Sequence, residues 1–414
     1  VKKREMNLDD VIDEILALDQ KRREVTGKVE SMKAEQNADS KKIPQIKKAG
    51  GDIGELMARM KALSEQIKTA DEELAGIEEE QKAKLLCLPN LPDEDVAAGG
   101  KEHNVPLHYC HEQPAFDFEP KNRVDLCQSR GMIDYQRGAK LSGAGSWVYR
   151  GAGARLEWAL LNFFVEEHLN DGYELILPPH MLGYECGYVA GQFPKFSEEV
   201  YWIQNPTSNE KKFLLPTAET ALVNLHRDEI LAAEELPRKY IAYTPCYRRE
   251  AGSYRSQERG MIRGHQFNKV EMVQYAHPDK SREAFEELVN KACALMEGLG
   301  LHFRLSKLAA GDCSASMART YDIEVWIPSM GIYKEVSSVS NANDYQARRN
   351  NTRFKDAQTG KTRFVHTLNG SGLATSRVFP ALIEQYQNED GSVTIPEVLR
   401  PFMGGQERIE KGKL

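Results

Sequence analysis

The stretch from Tyr243 to Tyr275, YTPCYRREAGSYRSQERGMIRGHQFNKVEMVQY, carries the densest set of side chains able to do chemistry. Read as two strands joined by a polar loop, it alternates its side chains with a period of two. Tyr243 to Glu250 then places Cys246, Arg248 and Glu250 on one face. Ile262 to Tyr275 places Phe267, Lys269, Glu271, Val273 and Tyr275 on one face. The loop between them, Ala251 to Arg259, holds glycine and serine turn formers and alternating charges. An arginine, an aromatic ring and two carboxylates would thereby converge on one pocket, where a hairpin serving only the core would carry apolar residues. Salt bridging on an exposed surface accounts for the charges equally well.

Three shorter segments carry hydroxyls and charges at suggestive spacings. In FLLPTAETAL, Phe213 to Leu222, an extended chain puts Thr217 and Glu219 on one face, although a helix cap explains a Thr-x-Glu as readily. In EVSS, Glu335 to Ser338, a carboxylate and a hydroxyl form a hard oxygen site suited to Mg²⁺. Strict alternation places Glu335 and Ser338 on opposite faces, so a bend is required. In TLNGSGLATSRVF, Thr367 to Phe379, Gly370 and Gly372 allow a close backbone approach before a helix beginning near Leu373, with Arg377 about one turn in. A glycine turn followed by a surface arginine is the plainer account of that stretch.

The elements that position these groups fall into two parts. From Leu8 to Leu85 apolar residues recur in steps of three and four, the seam of a coiled coil. Arg22, Gln36 and Asp39 interrupt it, Pro44 is expected to kink or end the first limb, and Gly50–Gly51 breaks the chain before the second. Two helices folded back as an antiparallel hairpin arm are predicted. Its first limb is basic, with Lys21, Arg22, Arg23, Lys28, Lys33, Lys41, Lys42, Lys47 and Lys48, and its second is acidic. Pairing across the seam and a basic edge tracking a phosphate backbone are both open readings. LPNLPDEDVAAGGKEHN, Leu88 to Asn104, has the proline and glycine punctuation of a linker. Beyond it, Arg155 to Leu169 reads as a helix ended by Gly172, Tyr173 to Pro179 as a strand, and His277 to Leu299 as an amphipathic helix.

The chain's 414 residues are enough for two domains, with 41% hydrophobic and 28% charged residues, as in a globular protein with heavily charged surface. A net charge of −7 means that any contact with nucleic acid must come from a local basic patch. Seven cysteines, with no Cys-x-x-Cys pair, point to free thiols in a reducing compartment. His108, Cys110 and His111 match no zinc spacing. No apolar run approaches the roughly 18 residues that span a bilayer, and no signal segment is visible. We expect a cytoplasmic protein with no membrane contact, and the start at Val1 leads us to expect residues upstream. There is neither a GxxxxGK[ST] loop nor a strand–GxGxxG–helix fingerprint, so an enzyme using ATP would have to hold its phosphates by other means, such as arginines and Mg²⁺ on a sheet.

The hairpin resembles motif 2 of the class II aminoacyl-tRNA synthetases, in the form found in seryl-tRNA synthetases, through YRRE at Tyr247 to Glu250, RG at Arg259 to Gly260 and HQFNKVE at His265 to Glu271. The helix and strand before Pro179 resemble motif 1, TLNGSGLATSRVF resembles motif 3, and the TAE, EVSS, PNLP and IPEVLRPFMGG segments are similar to the same family in the same order. The segment RREVTGKVESMKAEQNADSKKI resembles the first helix of that family's tRNA-gripping arm. The resemblance implies an α+β fold, an antiparallel β-sheet flanked by helices and preceded by an antiparallel two-helix coiled-coil arm. It implies an arm over 1–88, a linker over 89–105 and a catalytic domain with motifs 1, 2 and 3 over 106–414. Departures are the loop SYRSQERG, where the family more often has Gly–Arg–Asp–Thr, Val339 and Ala342 in place of cysteines, and Thr375–Ser376 in place of Val–Gly.

What the resemblance implies about function is specific. L-Serine is activated with ATP and passed to the 3′ end of tRNA(Ser), and also of tRNA(Sec), by a homodimer. Arg248 and Arg377 are the implied catalytic residues, the first bridging the serine carboxylate and the α-phosphate, the second on the γ-phosphate. Glu250 would hold the adenine amino group, Phe267 stack on the ring, and Glu335 with Ser338 hold Mg²⁺, with Arg249, Val336 and Ser337 completing the ATP site. Thr217, Ala218 and Glu219 would receive the serine ammonium, and Glu271 with Ser371 its hydroxyl. Arg22, Arg23, Lys28, Lys33, Lys41 and Lys42 would contact tRNA. A non-catalytic RNA-binding paralogue, a ligase loading a carrier protein, and a specialised second copy, as in antibiotic resistance, are the alternatives. The first would have lost Arg248, Glu271, Glu335 or Arg377, and the second would lack the arm.

Overall fold

In the computed structural model, residues 1–250 and 260–410 are described. They divide into two compact units, one of residues 6–89 and one of residues 90–414 together with Lys2–Glu5.

The smaller unit is two helices, α1 (Asp9–Lys48) and α2 (Gly54–Leu86). Lys84 pairs with Glu14, Lys21 with Glu73 and Lys33 with Asp71, so residue numbers fall on one helix as they rise on the other. The helices are antiparallel. Val25, Val29 and Ile77 are buried in the seam with Leu18, Met32, Ala70 and Leu74 packed against them, which is the spacing the sequence gives for an apolar stripe. Pro44 neither kinks the limb to an end nor starts a loop, because α1 continues through it to Lys48. The proline has no N–H for the Ser40 carbonyl, so the helix passes it with one bond fewer. The break comes at Gly50, whose φ of +72° suits glycine.

The larger unit is built on eight strands: β1 (Val105–Cys110), β2 (Glu174–Leu175), β3 (Arg238–Tyr247), β4 (Gln266–Ala276), β5 (Phe303–Lys307), β6 (Arg319–Ile327), β7 (Ile332–Asn341) and β8 (His366–Ala374). Their order across the sheet is β1-β5-β6-β7-β8-β4-β3-β2. All neighbours run antiparallel except β2, which lies parallel to β3. The strand expected over Tyr173 to Pro179 therefore shrinks to Glu174–Leu175 with one further bond from Ile176 to Ile241, since Pro178 and Pro179 have no N–H to donate.

Three helices complete the core: α3 (Gly151–Asn170), α4 (Ser281–Gly298) and α5 (Thr375–Gln385). Leu156, Leu160 and Phe164 of α3, Phe285 and Leu288 of α4, and Val378, Phe379 and Leu382 of α5 pack with Val270 and Met272 of β4 and Val339 of β7. Alternation then sends Phe267, Lys269 and Glu271 of β4 to the other face. Proline at 278 begins one turn of 3₁₀ helix, so α4 starts at Ser281 rather than at His277.

Two irregularities shape that other face. In the β6–β7 pairing Ile323 lies opposite Ser337 but Glu324 lies opposite Glu335, so Val336 is an extra residue, a bulge. In the β4–β8 pairing Glu271 lies opposite Ser371 but Lys269 lies opposite Ala374, which leaves one more extra residue in β8. Gly370 and Gly372, read as allowing a close backbone approach before a helix near Leu373, lie inside β8, and the helix, α5, begins at Thr375. A side chain at Gly372 would put its Cβ 2.2 Å from His168 Nε2, and His168 belongs to α3, so glycine there lets strand and helix approach.

Candidate active site

Strand β3 ends at Tyr247, three residues short of the expected strand, because Arg248 to Glu250 leave the ladder and Glu250 adopts a φ of +51°. Arg248 is still fixed. Its N–H donates to the His265 carbonyl at 2.9 Å, and its Nε donates to the Pro216 carbonyl at 3.3 Å. The guanidinium carbon lies 5.2 Å from the centre of the Phe267 ring. Glu250 receives Arg263 Nη1 at 2.7 Å. Arg249 turns outward, donating to the Glu198 carbonyl at 2.9 Å, and is exposed. The returning strand likewise begins late, at Gln266, and the loop 251–259, including SYRSQERG up to Arg259, lies outside the described residues.

One end of the site is a dense polar cluster. Thr217 and Glu219 do not lie on an extended chain. Ala218 is the N-cap of the short helix Glu219–Leu222, and the Thr217 hydroxyl, one residue earlier, accepts the Glu219 N–H at 3.3 Å. Both are buried, with Ala218 between them packed in a neighbouring apolar cluster. Lys269 Nζ donates to Thr217 Oγ1 at 2.7 Å and forms a close ion pair with Glu271. Asn369 Nδ2 reaches Glu271 Oε1 at 3.2 Å, and Ser371 Oγ lies 3.5 Å from Oε2. Glu219 accepts Gln346 Nε2 at 2.8 Å. Burial, with the charge of Glu271 added, pushes the Glu219 carboxyl up to about 7.

The other end is acidic with an arginine over it. The bulge at Val336 supplies the bend that alternation required, bringing Glu335 and Ser338 to one face. The Ser338 hydroxyl donates to Asp322 Oδ1 at 2.5 Å. Arg377, third residue of α5, donates from Nη1 to the Glu335 carbonyl at 2.7 Å and lies 3.3 Å from its Oε1. Burial works against a charge on Glu335, but Arg377, Arg248 and Lys269 outweigh it and hold that carboxyl below the usual carboxylate range. Burial, with Glu335 adding its charge, pushes Asp322 strongly the other way. The side chains of Val336 and Ser337 turn from this face: Val336 packs in the core and Ser337 Oγ donates to the Ser371 carbonyl at 2.6 Å.

Arg248, Glu250, Phe267, Lys269, Glu335, Ser371 and Arg377 border one cleft. Lys269, Asn369, Gln346 and Asp322 belong to the same constellation; sequence placed Lys269 on the strand face with Phe267 and Glu271 without giving it a role, and gave the other three none. Lys269 had a signal, since it stands two before Glu271 on the same strand face. Gln346 and Asp322 had none, as only the tertiary fold brings them near. On the arm, Arg22 and Arg23 both pair with Asp19, Lys33 with Asp71 and Lys42 with Asp39, while Lys28 and Lys41 are exposed with no ion pair among the described residues.

Residues 201–386 match the tRNA synthetase class II core domain (G, H, P, S and T), and residues 1–92 match the Seryl-tRNA synthetase N-terminal domain. The chain is 59% identical to serine–tRNA ligase 2 of Clostridium acetobutylicum over 94% of its length and 92% of the relative's. It is 46% identical to the serine–tRNA ligase of Syntrophomonas wolfei, covering 98% and 94% of the two chains. Seryl-tRNA synthetase from Pyrococcus horikoshii, solved in complex with ATP, superposes with a TM-score of 0.91 at 32% identity, over 99% of this chain and 96% of that one. An arm domain and a class II core domain of this kind, joined in this order and matched along nearly the whole length, identify the lineage: the chain belongs to the seryl-tRNA synthetases, within the class II aminoacyl-tRNA synthetases.

Proposed function

We propose that the protein is a serine–tRNA ligase that joins L-serine to ATP as seryl-adenylate, releasing pyrophosphate, and transfers the seryl group to the 3′ end of tRNA(Ser). The observation that carries this reading is the convergence of Arg248, Lys269, Glu335 and Arg377 on a single cleft with Phe267 at its side. The attacking serine carboxylate is ionised at neutral pH, so the reaction needs no general base. It needs in-line placement and neutralisation of phosphate charge. Arg248, planar and forked, suits a bridge between the serine carboxylate and the α-phosphate. Phe267 offers a ring for adenine, Glu250 an acceptor for its amino group, and Arg377 a cation for the γ-phosphate.

Thr217 and Glu219 are assigned to the serine ammonium, with the Ala218 backbone between them. Glu271, flanked by Ser371, is assigned to the side-chain hydroxyl. Alanine in that pocket forgoes the hydrogen bond a seryl hydroxyl would make to Glu271, and a site built to bond a hydroxyl rejects analogues that lack it by roughly four to five orders of magnitude. Mg²⁺ is assigned to Glu335 and Ser338. They fit, because the bulge aligns them and the surrounding cations keep Glu335 ionised. Among the described residues no group of three His, Cys, Asp or Glu could hold a metal alone, so the ion would share phosphate oxygens, as Mg²⁺ commonly does. When bound it would neutralise charge on the phosphates.

The arm is assigned to tRNA through Arg22, Arg23, Lys28, Lys33, Lys41 and Lys42, and tRNA(Sec) is included as a second substrate. Arg249, exposed at the edge of the hairpin, completes the assignment near ATP, with Val336 and Ser337 contributing backbone. We place the reaction in the cytoplasm; all seven cysteines are free, and no described helix is long and apolar enough to cross a membrane. The names of the relatives do not favour a non-catalytic paralogue or a specialised copy. The test is ATP–pyrophosphate exchange. Serine-dependent exchange is expected in the native protein and its loss, by about a hundredfold or more, in Arg248→Ala; exchange driven by a different amino acid would overturn the substrate assignment.

A further inference from the structure

Glu157 stands outside the cleft, in the first half of α3, and its side chain is 3% exposed. No lysine or arginine pairs with it among the described residues, an expensive arrangement for a carboxyl. Its Oε1 instead takes two donors from two different elements. Asn268 Nδ2 of β4 donates at 2.7 Å, and Thr375 Oγ1, the first residue of α5, donates at 2.5 Å. Thr375 Oγ1 also lies 3.2 Å from the Asn268 carbonyl, and Tyr243 of β3 donates to Asn268 Oδ1 at 3.3 Å. The second carboxyl oxygen and the Tyr149 hydroxyl are both buried, and the two groups neighbour one another.

The chain neighbours of these donors matter. Asn268 lies between Phe267 and Lys269 and, by alternation, faces away from the cleft while they face into it. Thr375 stands two residues before Arg377. One buried atom thus ties the strand carrying the ring to the helix carrying the arginine, and it does so from a third element, α3, that packs against both. We propose that Glu157 is a positioning residue for ATP, fixing the spacing between Phe267 and Arg377 by bonding both of their supporting elements at once. The inference rests on the assignment of adenine to Phe267 and the γ-phosphate to Arg377. An apolar side chain of similar volume would fill the space without the desolvation cost but would leave Asn268 and Thr375 with no common acceptor.

The experiment measures KM for ATP and KM for serine separately in serine-dependent pyrophosphate exchange, alongside Tm. Glu157→Ala and Thr375→Val are expected to raise KM for ATP about fivefold or more while KM for serine stays within about twofold. Glu157→Gln, whose amide oxygen accepts the same two donors, is expected to restore KM for ATP to within about twofold of the native value. A lowered Tm with neither KM moved, both KM values rising together, or Glu157→Gln as impaired as Glu157→Ala would overturn the inference. Should Glu157→Ala fail to fold, Thr375→Val decides alone. A native protein without serine-dependent exchange would sink the functional assignment itself, and the inference with it, whereas normal native exchange with an unmoved KM for ATP in Thr375→Val sinks the inference only.

Discussion

Lys269 is the residue around which the amino-acid end of the cleft is organised. It is buried between Thr217 and Glu271, and a buried ammonium is stable there only because a carboxylate and a hydroxyl surround it. Glu219, a few residues along from Thr217, has no such cation in contact and is pushed up to about 7. The consequence for substrate binding has a definite sign. Below about 7 Glu219 takes up a proton and loses the charge assigned to the serine ammonium; above it the carboxylate is available. KM for serine is therefore expected to fall as pH rises from 6 to 8 and then level off, and Glu219→Gln should flatten the profile and raise KM at pH 8 by about 10- to 100-fold, the worth of one charge-assisted hydrogen bond. A native profile flat across that range would contradict the role given to Glu219. The residues legible from sequence were those whose spacing already put them together, such as Phe267, Lys269 and Glu271 on one strand. Asp322 and Gln346 were not, because each reaches the cluster from a strand or helix far along the chain.

At the scale of elements, alternation read from sequence held on β4, stopped short on β3 where Arg248 to Glu250 leave the strand, and on β7 required a bend that sequence could not supply. A bulge inserts a residue and resets the facing of everything beyond it. The bulge at Val336 lets Glu335 and Ser338 share a face, and the one in β8 lets Ser371 face the cleft while Leu373 enters the core. Neither leaves a mark in local composition. Thr217 shows the converse case, a helix start and an extended strand being indistinguishable until the chain is seen to turn at Glu219. The coiled-coil seam was legible because its period repeats over many turns, and Pro44 misled because α1 runs through it to Lys48 despite the lost N–H. The arm's charge partly answers to itself, through Asp19, Asp39 and Asp71, yet Lys28 and Lys41 remain exposed. Deleting residues 21–77 is expected to leave serine activation within about twofold while reducing tRNA charging by about a hundredfold or more, with sensitivity to salt in the native protein. Charging that survives the deletion would remove the arm from tRNA recognition.

On the scale of the whole molecule, the larger unit exposes apolar side chains along one helix and the segment after it. Trp158 on α3 is 55% exposed, and Leu177, just past β2, is 76% exposed. Single exposed apolar residues are ordinary, but this group includes Leu169, Leu175 and Met181 on the same stretch of chain, which supports its burial against a second copy. Light scattering at micromolar concentration is expected to give twice the chain mass of 46.8 kDa, with Leu177→Asp shifting it toward the single chain. A native mass of one chain would contradict the homodimer.

The central claim is that serine and ATP meet in the cleft bounded by Arg248, Phe267, Glu335 and Arg377. It is tested most directly by the crystal structure of the protein with a non-hydrolysable seryl-adenylate analogue. The adenine is expected on Phe267, the Arg248 guanidinium on the phosphate mimic, and the seryl hydroxyl within hydrogen-bond reach of Glu271. An analogue bound outside this cleft, or with its seryl group turned from Glu271, would contradict it.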